Sequence, residues 1–292
     1  MEITQINPSE YHSRLKLDRS DIFSPDSWLS KSAVYELYQN SLYKWRYFPR
    51  QYTDSPAMTW GSLVDCIITS PEDFDEQFVT NPYDSFRTKA AKEWKDATLD
   101  AGKQIITPEL LEQANAAVAV LTKKHKYAAA MIEKSASQVV MMNRVQHPAS
   151  ERAVGIKGLV DLAPEGEPFL MDLKTTRDFT AGGFEKTIAK FGYHVQAGLY
   201  LSLWNSINPD DQRDRFQIMW QDSSSPYEVA VTEIPQADIA DGQEMFNHLL
   251  GRIVKAAEKD YWPMLFPKPV LLGRAAFGQY TDAEEVDGFT SI

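Results

Sequence analysis

Cysteine is nearly absent from this chain, which has a single one, Cys66, among 292 residues. One thiol excludes an internal disulfide, a multi-cysteine zinc site and an iron–sulfur cluster held by this chain alone. The composition therefore fits a reducing, intracellular compartment.

Long apolar runs are missing as well. No stretch of about 18 apolar residues is present, so we expect no membrane span and no membrane partner. The first residues, MEITQINPSEYHSRLK, lack the basic start and apolar stretch of a secretory signal. The chain also lacks the G-x4-G-K-[ST] pattern, so we expect no ATP-driven motor in it.

Net positive charge is the third absence. The chain has 41 acidic residues against 30 lysines and arginines, a net charge of −11. This argues against non-specific nucleic-acid binding through overall charge. It leaves DNA possible as a substrate, because a metal-dependent nuclease needs carboxylates at its centre and basic residues only along the DNA track.

The order of predicted elements indicates one α/β domain over residues 1–292, with a mixed central sheet flanked by helices. A mainly helical N-terminal part covers 25–135, the sheet-and-helix core covers 136–262, and a C-terminal extension covers 263–292. Apolar periodicity predicts helices at 28–50, 58–74, 84–97, 106–125, 180–190, 193–206 and 236–260. Alternation and turn residues predict strands at 137–145, 153–162, 168–175, 215–222 and 227–234. Thr59 and Thr107 are the expected caps, with Pro108 at the first helical position.

Two aspartates stand on a predicted hairpin, VGIKGLVDLAPEGEPFLMDLKTT. If the hairpin is centred on residues 166 and 167, Asp161 faces Asp172, with Cβ atoms ~4.5–5.5 Å apart. Lys174 lies two residues further and so shares a face with Asp172. A divalent cation such as Mg²⁺ would relieve the repulsion between the carboxylates, which favours metal-assisted phosphodiester hydrolysis. The alternative is a turn-capping Asp161 and a solvent-facing ion pair on an edge strand.

The helix KFGYHVQAGLYLSLW carries two polar residues on one face, Gln196 and Tyr200, which are four positions apart. They could hydrogen-bond a phosphate, a metal-bound water or a DNA end. The alternative is an ordinary amphipathic helix with a polar rim.

The combined pattern, D-(x)10-D-x-K followed by Q-x3-Y, resembles the PD-(D/E)xK nuclease superfamily of the RecB-like kind. More narrowly, MDLKTT followed by YHVQAGLY resembles the nuclease domain of exodeoxyribonuclease VIII, the RecE-type phage and prophage recombination exonucleases. The likeness covers roughly residues 55–205 and includes WGSLVDCIITSPEDF. It implies a restriction-endonuclease-like core with an added N-terminal helical region.

The resemblance also implies an activity. The chain would be a Mg²⁺-dependent deoxyribonuclease that degrades one strand of linear duplex DNA, 5′ to 3′, to give 3′ single strands for phage-type recombination. The implied metal ligands are Asp161, Asp172 and the backbone carbonyl of Leu173. The implied catalytic residues are Asp161, Asp172, Lys174, Gln196 and Tyr200.

Asp65 departs from the family pattern, which usually presents a metal-binding histidine at this place. An aspartate still suits hard cations such as Mg²⁺ or Mn²⁺. We expect Asp65 to be a ligand, because a buried carboxylate without a cation is costly. The alternative is a weakened site. The cofactor is then Mg²⁺, with Mn²⁺ as a substitute and with room for two ions.

Basic residues in three places are candidates for contact with DNA. YKWRYFPRQY interleaves cations and aromatics, which suits phosphate contact and base stacking, or else forms a core helix with a solvated basic face. By resemblance, FRTKAAKEWK overlies the DNA path. His194, beside the helix pair, is either a substrate contact or a satisfied core histidine. The predicted DNA-binding residues are Lys44, Arg46, Arg87, Lys89, Lys92 and His194.

By resemblance, the partners are double-stranded DNA ends, a single-strand annealing protein and further copies of the chain in a homo-oligomer. The location would be the cytoplasm of a bacterium or of a phage-infected host. Two alternatives stay open. The chain could be an endonuclease or a nuclease for single strands or flaps, or it could be a DNA-end-binding module whose catalysis was lost.

Overall fold

The computed structural model describes residues 10–50 and 55–269. Within these ranges the α-helices are α1 (Tyr11–Arg14), α2 (Lys31–Tyr35), α3 (Leu42–Tyr47), α4 (Pro56–Thr69), α5 (Phe74–Gln77), α6 (Lys89–Asp100), α7 (Pro108–Ala119), α8 (Lys126–Glu133), α9 (Ala181–Phe191), α10 (Tyr193–Ile207) and α11 (Gln236–Glu258). The strands are β1 (Trp28–Ser30), β2 (Phe78–Thr80), β3 (Gln104–Ile106), β4 (Ser135–Gln146), β5 (Ala153–Pro164), β6 (Phe169–Thr176), β7 (Arg215–Asp222) and β8 (Val229–Glu233).

The central sheet is mixed and contains six of these strands. β4 runs antiparallel along one edge of β5, while β1 and β6 share its other edge. β6 pairs in parallel with β7, and β8 closes the sheet antiparallel to β7. The separate strands β2 and β3 form a small parallel sheet. The predicted α/β class with a mixed sheet is therefore confirmed.

Helices cover both faces of the central sheet, and each face has its own apolar core. One core joins even-numbered residues of β6 and β7, such as Leu170 and Ile218, to α10 and α11. The other joins Met171 and Leu173 to α4, α7 and α8. Because side chains alternate along β6, Asp172 and Lys174 lie on the side of Leu170, toward α10.

Most of the predicted core elements are confirmed, including the strands around the hairpin and the long closing helix, α11. The break between α9 and α10 is at Gly192, as expected, and this residue has φ +63°. A side chain there would meet the ring of Tyr35, so glycine suits this position for both conformation and space. In the described part of the chain, no helix combines the length and apolarity needed to cross a membrane.

The prediction of one helix over 28–50 is wrong. Residues 28–30 form β1 and pair with β5, and Ser30 then caps α2 by accepting a hydrogen bond from the Ala33 N–H. A short 3₁₀ turn at Glu36–Gln39 follows. Ser41 caps α3 by accepting from the Lys44 N–H at 3.2 Å. The two serine caps divide the segment, although its apolar spacing suits a continuous helix.

Two helix starts were tested by the structure. α4 begins after Ser55, whose Oγ accepts from the Met58 N–H at 3.3 Å, so Thr59 is inside the helix and is not its cap. Thr107 does cap α7, by accepting from the Leu110 N–H at 3.1 Å. The part predicted as mainly helical, 25–135, also contains β1, β2 and β3, which are too short to show a period.

Candidate active site

The candidate site lies where β5 and β6 separate. The two strands are paired at Leu162 and Met171, and the next step of the same register places Asp161 opposite Asp172. The Leu173 N–H donates to Asp161 Oδ2 at 2.8 Å. A carboxylate thus takes the place of a backbone acceptor, and the predicted juxtaposition of the two aspartates is present.

Asp172 is the most enclosed acid of the site, with 2% of its surface exposed. Its Oδ2 forms an ion pair with the Lys174 ammonium, and its Oδ1 accepts from Gln196 Nε2 at 2.7 Å. β6 lies between β5 and β7. The alternative of a solvent-facing ion pair on an edge strand is therefore wrong.

Asp65 reaches the same cluster from α4, on the opposite side of the sheet. Its Oδ2 accepts from Gln138 Nε2 at 3.1 Å, while its Oδ1 is buried without a hydrogen-bond partner. The Thr69 hydroxyl donates to the Asp65 backbone carbonyl at 2.8 Å. An unpaired buried carboxylate oxygen is costly, which makes Oδ1 a position where a cation would be stabilising.

The pKa values follow from burial and from mutual repulsion. Burial raises the pKa of Asp161 well above its ordinary range, and the charges of Asp172 and Asp65 raise it further. Burial likewise raises the pKa of Asp65 to about 6, partly offset by the charge of Lys174. Burial acts to lower the pKa of Lys174, but the neighbouring carboxylates outweigh it and the net shift is upward. The lysine is therefore held as an ammonium.

A divalent cation fits this set of donors. Three carboxylates and one ammonium leave two negative charges uncompensated when all are ionised, and these equal the charge of one Mg²⁺ or Mn²⁺. The available donors are hard oxygens, namely the carboxylates of Asp65, Asp161 and Asp172 and the Leu173 carbonyl. Lys174 Nζ donates to this carbonyl at 3.3 Å. Within residues 10–50 and 55–269, no three His, Cys, Asp or Glu side chains are already arranged as a metal cluster. Lys174 and Gln196 instead occupy both oxygens of Asp172.

Tyr200 completes the predicted set from α10, the helix that also carries Gln196. Its ring is close to β5, where a Cβ on Gly158 would lie 3.0 Å from Tyr200 Cε1. Glycine at this position allows the ring to approach the strand that bears Asp161. Burial raises the pKa of Tyr200 well above its ordinary value, and the nearby Tyr11 and the aspartates raise it further. Its hydroxyl therefore stays protonated.

The sequence did not indicate three further residues near the site. Tyr193 places its ring 5.2 Å from Lys174 Nζ and 5.7 Å from Lys31 Nζ. Lys31 is nearly buried and donates to the Phe191 carbonyl at the end of α9. Gln138 contacts Asp65. Gln138 gave a possible signal, because it is a polar residue directly before the apolar run VVMM in the predicted strand 137–145. Lys31 gave none, because it lay in a segment predicted as one continuous helix.

The structure places Lys44 and Arg46 on α3, which packs against α11. Lys44 is exposed, whereas the Arg46 guanidinium lies over the rings of Tyr47 at 5.2 Å and Trp262 at 5.6 Å. Trp45 is fully buried, so it is a core residue and not a platform for base stacking. Residues 51 and 52 of this segment lie outside the described residues.

Arg87, Lys89 and Lys92 are all exposed at or near the start of α6, which packs on β3. Lys89 is 3.6 Å from Glu93. His194 is half-buried on α10, and burial lowers its pKa, with Lys31 adding to this shift and Asp238 opposing it. The DNA-binding roles of these residues stay predictions.

The sandwiched mixed sheet, with an Asp–Asp–Lys set on neighbouring strands and a Gln–Tyr pair on the following helix, defines a PD-(D/E)xK-like domain. A family model described as "PDDEXK-like domain of unknown function (DUF3799)" matches residues 39–266. The chain belongs to this family.

Solved structures with a similar fold include a predicted exonuclease from Eubacterium rectale, 14% identical, with a TM-score of 0.58 over 94% of this chain and 97% of that one. A phage-related exonuclease from Haemophilus somnus is 11% identical, with a TM-score of 0.32 over 88% and 96%. An alkaline exonuclease from Laribacter hongkongensis is 16% identical, with a TM-score of 0.29 over 59% and 84%. The first of these shows a shared fold. No curated protein matches the chain significantly.

Proposed function

We propose that the chain is a Mg²⁺-dependent deoxyribonuclease that degrades one strand of linear duplex DNA from its end, 5′ to 3′. The observation that carries the proposal is the convergence of Asp65, Asp161, Asp172 and Lys174 where β5 and β6 separate. Membership of a PDDEXK-like family supports the nuclease class. The fold relative from Eubacterium rectale, described as a predicted exonuclease, supports action at a chain end.

Asp65, Asp161, Asp172 and the Leu173 carbonyl would hold the divalent cation. When bound, such an ion polarises the phosphate, acidifies a bound water and stabilises the leaving oxygen. Asp161 is held by the Leu173 N–H and Asp172 by Gln196, so both carboxylates are fixed before substrate arrives. Fixed ligands lower the cost of reorganisation during the reaction.

Lys174 contributes a permanent positive charge. Because its pKa is raised, it is not a general base at neutral pH, and its ammonium instead suits contact with the scissile phosphate or orientation of the attacking water. Tyr193 lies over this ammonium and limits its movement. The protonated hydroxyl of Tyr200 is a donor available to a phosphate oxygen.

The finer parts of the proposal are supported by the sequence resemblance alone. These are the 5′ to 3′ polarity, the 3′ single-stranded product for an annealing protein, the role in recombination, the homo-oligomer and the cytoplasmic location. The predicted DNA contacts at Lys44, Arg46, Arg87, Lys89, Lys92 and His194 belong to the same proposal. All but Arg46 and His194 are exposed, as a contact with phosphate requires.

The decisive experiment is digestion of end-labelled linear duplex beside a covalently closed circle, with Mg²⁺, with Mn²⁺ and with EDTA. We expect metal-dependent shortening of the linear DNA, an intact circle and a 5′ label released first. Lys174→Ala should abolish shortening, while Lys126→Ala, at an exposed lysine of α8, should not. Cleavage of the circle would instead indicate an endonuclease. Binding of ends without cleavage under any metal would indicate a lost catalytic site.

A further inference from the structure

We propose that Gln138 is a positioning residue that orients Asp65 toward the cation. This inference rests on the proposed function, because it concerns how one of the proposed metal ligands is held. The reasons are an unusual backbone at Gln138, its place opposite Asp161 and the two hydrogen bonds of its amide.

The backbone of Gln138, the fourth residue of the long strand β4, is left-handed, with φ +50°. Residues with a Cβ rarely adopt this backbone conformation, and within a strand it interrupts the pairing. Ser137 pairs with Leu162 and Val139 with Val160, so the register places Gln138 opposite Asp161. The irregularity is therefore located beside a proposed metal ligand.

The amide of Gln138 bridges two groups of α4. Its Nε2 donates to Asp65 Oδ2 at 3.1 Å and to Thr69 Oγ1 at 2.8 Å. The same Thr69 hydroxyl donates to the Asp65 backbone carbonyl at 2.8 Å. With Oδ2 held in this way, the carboxylate cannot rotate freely, and its buried, unpartnered Oδ1 is the oxygen left for a cation.

A purely structural role explains this arrangement poorly. Glycine would accept the left-handed backbone without strain, and an apolar side chain would avoid burying an amide between two strands and a helix. Glutamine here has both costs, and the contact with Asp65 accounts for them. Outer groups that orient metal-binding carboxylates typically change metal affinity by about 10–100-fold when they are removed.

The test is Mn²⁺ binding to the full chain, measured by titration calorimetry and by the free-Mn²⁺ electron paramagnetic resonance signal. The variants are Gln138→Gly, which removes both the amide and the strain, and Gln138→Met, which removes the amide and keeps the length and the strain. We expect both to weaken Mn²⁺ binding by about 10–100-fold. Gln113→Ala, at an exposed glutamine of α7, is the matched control and should bind as the wild type does.

Thermal unfolding without metal separates orientation from folding. Gln138→Gly should melt no lower than Gln138→Met, because glycine suits the backbone, yet bind Mn²⁺ equally weakly. In cleavage assays, the Mn²⁺ concentration for half-maximal rate should rise while the KM for DNA at saturating Mn²⁺ stays unchanged. Wild-type affinity in the folded Gln138→Gly variant would overturn the inference and leave the proposed function intact. A wild-type chain that neither binds Mn²⁺ nor cleaves DNA would overturn both.

Discussion

Replacing Asp65 by asparagine should stabilise the metal-free protein while it removes metal binding. Burial raises the pKa of Asp65 from its ordinary 3.8 to about 6, a difference of about 2 units. At 1.36 kcal/mol per unit, ionising the folded carboxylate costs at most ~3 kcal/mol. Because the residue is only half-buried, water screens part of this cost, and we expect a gain of ~1–3 kcal/mol for Asp65→Asn.

The sign of the pH dependence follows from the raised pKa. A carboxyl whose pKa is higher in the folded state than in the unfolded state binds its proton more tightly when folded. Folding is therefore penalised as pH rises from 3.8 to about 6, and the full penalty is present above that value. The advantage of Asp65→Asn should be largest at pH 8 and should vanish near pH 4.

Thermal melts in EDTA and in Mn²⁺ are the assay. A gain of ~1–3 kcal/mol raises Tm by several degrees, at roughly 2–4 °C per kcal/mol for a large domain. Mn²⁺ at 100 times its Kd stabilises only the wild type, by about 2.7 kcal/mol. The difference in Tm between Asp65→Asn and the wild type should therefore shrink or change sign. Asp96→Asn, at an exposed acid of α6, is the control and should change neither melt. An Asp65→Asn protein that melts below the wild type in EDTA at pH 8 would refute the reasoning.

Three other changes test the surroundings of the site. Lys174→Met should abolish cleavage and cost ~3–5 kcal/mol in urea unfolding, because its aspartate partner stays buried without a counter-charge; unchanged stability would contradict the ion pair. Gly158→Ala places a Cβ 3.0 Å from Tyr200 Cε1, so we expect slower cleavage and a free energy of unfolding lower by ~1–3 kcal/mol. Gly182→Ala is the control, because its Cβ meets open space, and it should stabilise the helix slightly. Lys31 has its pKa lowered to about 7 by burial and by the charge of Lys174. Between pH 7 and 10.5 the unfolded chain therefore binds one more proton than the folded chain. The free energy of unfolding of the wild type should rise by at most ~3 kcal/mol from pH 6.5 to 9.5, and Lys31→Met should not show this rise.

The proposed catalytic residues of β5 and β6 were predictable because their juxtaposition depends on short-range rules. Alternation along a strand placed Asp172 and Lys174 on one face, and the turn-rich segment set the register that brings Asp161 opposite. The helical spacing of four predicted only that Gln196 and Tyr200 share a face. Their place at the site was implied by the resemblance, and the contact of Gln196 with Asp172 joins α10 to β6.

The rest of the site depends on distant segments. Residues 28–30 have the apolar spacing of a helix, but they pair with β5, and this pairing brings Lys31 to the end of α9. Neither contact follows from a local pattern. The left-handed backbone of Gln138 is equally hidden in the sequence, because it arises where β4 passes Asp161 and no glycine marks the place.

The separation of β5 from β6 places the proposed function in conflict with the stability of the fold. Continued pairing after Leu162 and Met171 would have given the Leu173 N–H a backbone acceptor. The Asp161 side chain accepts this hydrogen bond instead, and Asp65, from α4, lies close enough for its charge to raise the pKa of Asp161. Buried negative charge is the energetic cost, and a divalent cation would offset it. Neutralising Asp65 or Asp161 should therefore stabilise the metal-free fold, whereas loss of Lys174 should not.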